Sequence, residues 1–177
     1  ASINYQSPWF REYPLIEDHF ARVNTAMTRG KPVVKVGVVH PIESYWLHWG
    51  PSEQTSLVRE QLDENFKNIT EWLLFGSIDF DFICESLLPG SNPLRVGKME
   101  YDAIIVPGCE TLRASTVERL KEFRRQGGKL IFMGSVPTLM DAVENDEPAR
   151  LAAEAEYIPF SRTAILQSLE GLRLLDI

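Results

Sequence analysis

The sequence contains few cysteines and no long apolar run, and these two shortages exclude several classes of protein. Its 177 residues include two cysteines, Cys84 and Cys109, too few for a disulfide framework and without the C-x-x-C spacing of a metal or redox site. No apolar stretch approaches the roughly 20 residues that span a bilayer. The opening residues are polar and aromatic and lack the pattern of a signal peptide. We therefore expect a cytoplasmic protein with no membrane partner.

The sequence also lacks a basic cluster and a nucleotide-binding motif. The net charge is −7 and the lysines and arginines are scattered, so we expect no nucleic-acid partner. The glycines of "PGCETL" and "MGSVP" form neither a G-x-G-x-x-G motif nor a Walker loop. The acidic residues of "ENDEP" are more typical of a solvated loop than of a metal site. We therefore expect no cofactor and no metal ion.

What the sequence does contain is an alternation of helical and strand-like segments. Apolar periodicity predicts helices over Tyr13–Thr28, Ser52–Phe75 and Arg162–Leu169, and a capping box at Ser115–Glu118 predicts the start of another. Four apolar stretches predict strands, "VVKVGVVH", "IDFDFIC", "YDAIIVPG" and "KLIFMG", with "EYIPF" as a candidate fifth. This alternation indicates an α/β fold, a three-layer, doubly wound parallel sheet. We predict the flavodoxin-like strand order 2-1-3-4.

The stretch "YDAIIVPGCETL" places Cys109 on the loop after the third strand. In the predicted order the first and third strands are neighbours, which brings Cys109 near His40 at the end of the first strand. One hypothesis is therefore a thiol–imidazole pair of these two residues, with Glu43 or Glu110 orienting the imidazole. The alternative is a small apolar residue that packs under a loop, the usual state of a free cysteine.

The segment "PIESYWLHWGP", predicted as a loop at the same edge of the sheet, carries four rings within five positions. Exposed tryptophan is typical of a surface that binds a partner, and flat rings near carboxylates suit sugars. The alternative is that the rings pack onto the N-terminal "YQSPWF" segment or onto a neighbouring domain. The predicted ligand or interface residues are Tyr45, Trp46, His48, Trp49 and Glu110.

The order of these motifs, from "TRGKPVVKVGVVHPIESYW" to "RRQGGKLIFMG", resembles the class I glutamine amidotransferase-like fold over roughly residues 20–135. It is more similar to the non-catalytic amidotransferase-like domain of large glycoside hydrolases, such as the β-galactosidase trimerisation domain of family 42. The resemblance implies a bacterial multidomain enzyme. Residues 1–30 would then be a linker and helix from a preceding catalytic barrel, residues 31–170 the amidotransferase-like domain, and residues 171–177 the start of a following segment.

The resemblance also bears on the question of a nucleophile. Working amidotransferases carry it after the fourth strand in a G-x-C-x-G turn, where this chain has Met133, Gly134 and Ser135. They also need a histidine downstream, whereas the three histidines of this chain are all upstream of that turn (His19, His40 and His48). Cys109 falls on the third-strand loop, where the family's "PGG" supplies backbone for an oxyanion hole. The resemblance therefore implies that the triad is absent.

Our leading expectation is thus a non-catalytic domain that acts in domain or subunit contacts and walls the sugar site of a neighbouring barrel. Its expected partners are other domains of the same polypeptide, further copies in a homo-oligomer, and carbohydrate. Two alternatives remain open at this point. One is a stand-alone cysteine hydrolase or isomerase of the same superfamily that uses Cys109 and His40, and the other is a sugar-binding module that uses the Tyr45–Trp49 loop.

Overall fold

A computed structural model of the chain describes residues 3–88 and 95–174. The chain divides into two compact units, with the boundary between Val33 and Val34. The first unit holds a short 3₁₀ turn, Phe10–Glu12, and the helix α1, Tyr13–Met27, which begins with a proline in its first turn. The predicted helix over this segment is therefore confirmed. No residue of α1 is buried, so its apolar residues do not form a core within this unit.

The second unit contains the remaining helices and all the strands among the described residues. The strands are β1 (Val36–Val39), β2 (Phe80–Ile83), β3 (Arg95–Val96), β4 (Met99–Glu100), β5 (Ala103–Pro107), β6 (Thr111–Leu112), β7 (Lys129–Met133), β8 (Leu139–Met140), β9 (Val143–Glu144) and β10 (Glu156–Ile158). The helices are α2 (Ile42–Leu47), α3 (Ser52–Phe75), α4 (Ala114–Arg125), α5 (Glu147–Glu154) and α6 (Arg162–Ser168).

The central sheet has five strands in the order β10-β7-β5-β1-β2. All four pairings in it are parallel, which confirms an α/β fold around a parallel sheet and gives the candidate fifth strand a place at one edge. Because β1 pairs with both β2 and β5, the ends of β1 and β5 are neighbours. Two smaller sheets accompany it: β3-β4, which precedes β5, and β6-β8-β9, which follows the β5 loop.

The core consists of two apolar clusters, because alternate residues of a strand point to opposite faces of the sheet. On one face, α4 contributes Val117, Leu120 and Phe123 to a cluster that includes Ile104 and Phe132. On the other face, α3 and α6 contribute the side chains that cover the sheet, namely Ile69, Leu73 and Ile165 beside Val36, Val38, Ile105 and Ile131. The sheet is therefore covered by helices on both faces.

Two local predictions were wrong. The segment predicted as a loop contains α2, a helix too short to show periodicity in the sequence. The capping box is not formed: α4 begins at Ala114, its N-cap residue Arg113 makes no side-chain cap, and Ser115 lies within the first turn. The carboxylate of Asp141 caps the helix instead and accepts the Ala114 N–H at 3.2 Å. This cap comes from a residue distant in the sequence, which local spacing does not reveal.

The predicted following segment, residues 171–177, is described only in part, because residues 175–177 lie outside the described residues. Within the part that is described, no helix has the length and apolar character needed to cross a membrane.

Candidate functional site at the strand tips

The C-terminal ends of β1, β5 and β7 lie side by side, and the loops that follow them form the candidate site. Parallel sheets bind ligands at this edge because the loops after neighbouring strands converge there. A cavity of about 440 Å³ lies between these loops and the N-terminal half of α3. It is lined by Gly108, Cys109, Glu110 and Ser135 from the loops, and by Leu57, Val58, Gln61, Leu62 and Asn65 from α3.

Cys109 lies in the wall of this cavity but is almost completely buried, with 2% of its surface exposed. Burial raises the pKa of its thiol, and the nearby charges of Glu85 and Glu110 raise it further. Among residues 3–88 and 95–174, Cys109 has no hydrogen-bond partner. A thiol acts as a nucleophile only as the thiolate, so this environment keeps Cys109 in its unreactive form.

His40 does not form a hydrogen bond with Cys109 in the part of the chain that the structure describes. Its ring instead packs against Phe66 and Phe82, whose ring centroids lie 5.0 and 6.1 Å away. Partial burial lowers the pKa of the imidazole. The predicted adjacency of the two strand ends is therefore observed, but the hydrogen-bonded geometry of a thiol–imidazole pair is not.

The two carboxylates expected to orient His40 have other partners. Glu43 forms an ion pair with Arg113, whose Nε lies 2.6 Å from Glu43 Oε1. Glu110 Oε1 lies 2.8 Å from His48 Nε2, so two of the predicted interface residues contact one another. Sequence reasoning missed Arg113, because nothing near it distinguishes this arginine from the other basic residues.

A second residue that sequence reasoning missed is Ser44, which fixes α2 onto the loop after β5. Its side chain is fully buried, and its Oγ accepts the backbone N–H groups of Glu110 at 2.9 Å and Thr111 at 3.2 Å. Ser44 therefore fixes the backbone of Glu110 and Thr111, directly after the Pro107–Cys109 stretch that the resemblance associates with an oxyanion hole. One serine in a loop-like sequence carries no signal of such a role.

Glu85 is a third residue that the sequence did not single out. It is 3% exposed, and its Oε2 accepts the Arg113 N–H at 2.8 Å. Burial raises the pKa of this carboxyl group, and the charge of Glu43 adds to the effect. The side chain therefore holds the backbone at the N-terminus of α4 through this hydrogen bond. It is also easier to protonate than an exposed glutamate.

The aromatic residues of α2 and its following turn remain largely at the surface. Trp46 is 58% exposed and Trp49 is 72% exposed. The Trp49 ring lies 5.2 Å from the guanidinium carbon of Arg59 and 6.3 Å from the ring of Tyr45. Exposed rings held in this way are available to a binding partner.

A second cavity, of about 510 Å³, is bordered by α2. We call it the α2 cavity. It is lined by Glu43, Trp46, Leu47, Thr111, Arg113, Asp141 and Ala142. Within the described ranges, no group of three or more histidine, cysteine or acidic residues is arranged to hold a metal ion.

Comparison with known proteins finds a likeness of fold only. No protein-family model and no curated protein sequence matches the chain. Among solved structures, the chain is similar to a catalytic mutant of Gan42B, a GH42 β-galactosidase from G. stearothermophilus (17% identity, TM-score 0.55), over 80% of this chain. Gan42B itself gives 18% identity and a TM-score of 0.55 over 80% of the chain.

A cold-adapted β-galactosidase from Rahnella sp. R3 is similar over 77% of the chain, at 17% identity and a TM-score of 0.52. The chain spans 19% of the length of each of these three structures. It therefore shares the fold of one part of these large enzymes.

Proposed function

We propose that this chain is a non-catalytic, amidotransferase-like domain of a multidomain glycoside hydrolase, similar to the trimerisation domain of family 42 β-galactosidases. In this role it contacts other domains or subunits and walls the sugar site of a neighbouring barrel, which supplies the catalytic carboxylates. The likeness of fold to GH42 β-galactosidases supports this parentage. The parallel five-stranded sheet also supports a domain of this α/β kind.

The burial of Cys109 carries the non-catalytic part of the proposal. A cysteine acts as a nucleophile only as an accessible thiolate, whereas Cys109 is 2% exposed and burial raises the pKa of its thiol. Ser44 Oγ accepts the N–H groups of Glu110 and Thr111 and so fixes the residues that follow Cys109. Ser135, the residue after the β7 turn, has no histidine downstream to act as its base.

The exposed apolar residues around the same loop support a role in contacts. We call them the apolar tip surface: Trp46, Leu47, Trp49, Leu57 and Val58, from α2, its following turn and the first turns of α3. Each is at least 38% exposed, and Leu57 reaches 79%. A group of tryptophan and leucine side chains with such large exposed fractions is typical of a surface that a partner covers.

Sedimentation velocity tests the contact role in its simplest form, which is self-association of the chain. We expect concentration-dependent association that Leu57→Asp abolishes, because an added carboxylate opposes burial of the surface. Leu74→Asp is the matched control, since Leu74 lies on the same helix and is 62% exposed but lies outside the apolar tip surface. A strict monomer at all concentrations, or equal effects of the two substitutions, would contradict the proposal.

Activity assays test the non-catalytic part separately. We expect the purified chain to hydrolyse neither glutamine nor nitrophenyl glycosides. Turnover of glutamine or another acyl substrate that disappears in Cys109→Ser would instead support the cysteine hydrolase alternative, with Cys109 as its nucleophile.

A further inference from the structure

We propose that one face of α1 is a docking site for a helix of a partner protein, and that lysine or arginine residues flank the apolar face of that partner helix. This inference goes beyond the proposed function and does not depend on it, because α1 belongs to the first unit of the chain and contributes no residue to the apolar tip surface. Three properties of α1 carry it: the spacing of its apolar residues, their exposure, and the charges beside them.

The apolar residues of α1 follow a heptad spacing. Steps of three, four, three and four residues separate the five that form the row, namely Tyr13, Ile16, Phe20, Val23 and Met27. We call these five residues the α1 seam. Alternating steps of three and four give a period of about 3.5 residues, close to one helical turn, so the five side chains lie in one row along α1.

The α1 seam is exposed. No residue of α1 is buried, and every seam residue except the partly buried Tyr13 is at least 42% exposed. Met27, at the end of the row, reaches 80%. A continuous apolar row on one side of an amphipathic helix is normally packed against another surface, so exposure of this row indicates a surface that a partner covers.

The geometry of the α1 seam fits another helix. Two helices that pack side by side at a small crossing angle meet along rows with a period of about 3.5 residues, and each side chain of one row inserts between side chains of the other. The 15 residues of α1 give a row about 22 Å long, enough for two heptads of contact. The occupant that fits the seam is therefore an amphipathic helix of matching period.

The charged residues that flank the α1 seam are acidic. With Tyr13 at position a of the heptad, the flanking e and g positions from the N-cap residue to the end of the helix hold Glu12, Glu17, His19, Asn24 and Ala26. No lysine or arginine occurs at these positions. Both glutamates are exposed, and neither forms an ion pair within the described part of the chain. Charges at e and g positions select partners of opposite sign, so the facing positions of the partner helix carry lysine or arginine.

The same charges argue against a second copy of α1 as the occupant. In a parallel pair of identical helices, Glu12 at a g position faces Glu17 at an e position of the other copy. In an antiparallel pair whose seams overlap fully, the two Glu17 side chains approach each other instead. Either arrangement brings like charges together and weakens the pair, whereas a partner with basic flanks forms an ion pair with each glutamate.

Fluorescence anisotropy of two labelled synthetic peptides, titrated with the full chain, tests the proposal. Both peptides contain about three heptads with isoleucine at a and leucine at d, and they differ only at e and g, where one carries lysine and the other glutamate. We expect the lysine peptide to bind with a Kd on the order of 10 μM and the glutamate peptide to bind at least about tenfold more weakly. No binding of the lysine peptide up to about 500 μM chain, or equal affinity for the two peptides, would overturn the proposal.

Two substitutions at similarly exposed residues locate the binding on the α1 seam. Phe20 and Leu15 are 63% and 68% exposed on the same helix, but only Phe20 belongs to the seam. Phe20→Asp should weaken binding of the lysine peptide at least about tenfold, whereas Leu15→Asp should change it less than about twofold. Since neither side chain is buried, circular dichroism of both variants should match the wild type. Equal losses of affinity in the two variants would refute the assignment to the seam.

A second pair of substitutions tests the flanking charge. Glu17→Lys and Asp18→Lys change the net charge equally, but Asp18 occupies an outward f position of the heptad. Glu17→Lys should weaken binding of the lysine peptide and strengthen binding of the glutamate peptide, whereas Asp18→Lys should leave the ratio of the two affinities unchanged. The same change of ratio in both variants would show a general effect of net charge and would contradict selection at the seam.

Sedimentation velocity tests the remaining occupant, a second copy of the chain. Self-association that Phe20→Asp removes would assign the α1 seam to a second copy and overturn the proposal. The self-association expected from the apolar tip surface responds to Leu57→Asp instead, so failure of one proposal is distinguishable from failure of the other.

Discussion

At the residue scale, the two thiols have opposite environments and should react differently. Cys84 is exposed and Cys109 is buried, and burial raises the pKa of Cys109. We expect iodoacetamide at about pH 8 to label the native chain on Cys84 alone. In a Cys84→Ser variant, Cys109 should be labelled only after denaturation. Mass spectrometry of the labelled protein gives the readout, with Cys109→Ser as the control that retains the wild-type rate.

The opposite result for Cys109 would change the functional conclusion. Rapid alkylation of the native Cys84→Ser variant at or below neutral pH would require an accessible thiolate. Such a thiolate would revive the hypothesis of a cysteine hydrolase that uses Cys109 and His40.

Glu85 predicts a pH dependence of stability whose sign follows from burial. Its folded-state pKa is raised above the usual value of 4.5, so the folded chain holds this proton more tightly than the unfolded chain does. The resulting stabilisation is complete below pH 4.5 and is lost as the pH rises through the folded-state pKa. Glu85→Gln, which cannot ionise, should lack this component.

Urea unfolding of the wild type and of Glu85→Gln between acidic and neutral pH measures this pH-dependent stabilisation. The difference in unfolding free energy should favour the wild type most at the acidic end and should shift toward the variant as the pH rises. The exposed Glu60 on α3 provides the control, since Glu60→Gln should not change the slope. A difference independent of pH would contradict the assignment to Glu85.

At the element scale, the sequence pattern predicted one cap for the N-terminus of α4, and the structure shows another. Asp141→Ala should reduce the unfolding free energy by about 1 kcal/mol, because it removes the acceptor for the Ala114 N–H. Ser115→Ala, at the start of the capping box that the structure does not form, should change it by less than about 0.5 kcal/mol. Thermal or urea unfolding measures both losses of stability. A larger loss for Ser115→Ala than for Asp141→Ala would support the predicted capping box instead.

Elements with strong periodicity could be predicted, and those held by distant partners could not. The bounds of α1 and α3 and the positions of the central strands follow from apolar spacing and from continuous apolar runs, which record local burial. By contrast, α2 is a six-residue helix held through Ser44 to a loop far along the chain. Short elements of this kind depend on tertiary contacts, and no local pattern encodes them.

At the scale of the whole molecule, the same distinction holds for the candidate site. Parallel strand order predicted that the tips of β1 and β5 would be neighbours, which is how His40 was placed near Cys109. The pairing within the site was not predictable: Glu43 binds Arg113, and Glu110 binds His48. Several nearby acidic groups compete for each partner, so only the packed structure determines which pairs form.

The division of the chain into two units predicts an asymmetric response to truncation. Deleting residues 1–30 removes α1, which has no buried residue, so the unfolding free energy of the second unit should change by less than about 0.5 kcal/mol. Deleting everything after Glu154 removes β10 and α6, whose residue Ile165 is fully buried in the core together with Leu169. That loss should exceed several kcal/mol and should prevent cooperative unfolding. Circular dichroism melts of the two truncated chains make the comparison, and a large loss of stability from the N-terminal deletion would show that the units fold as one.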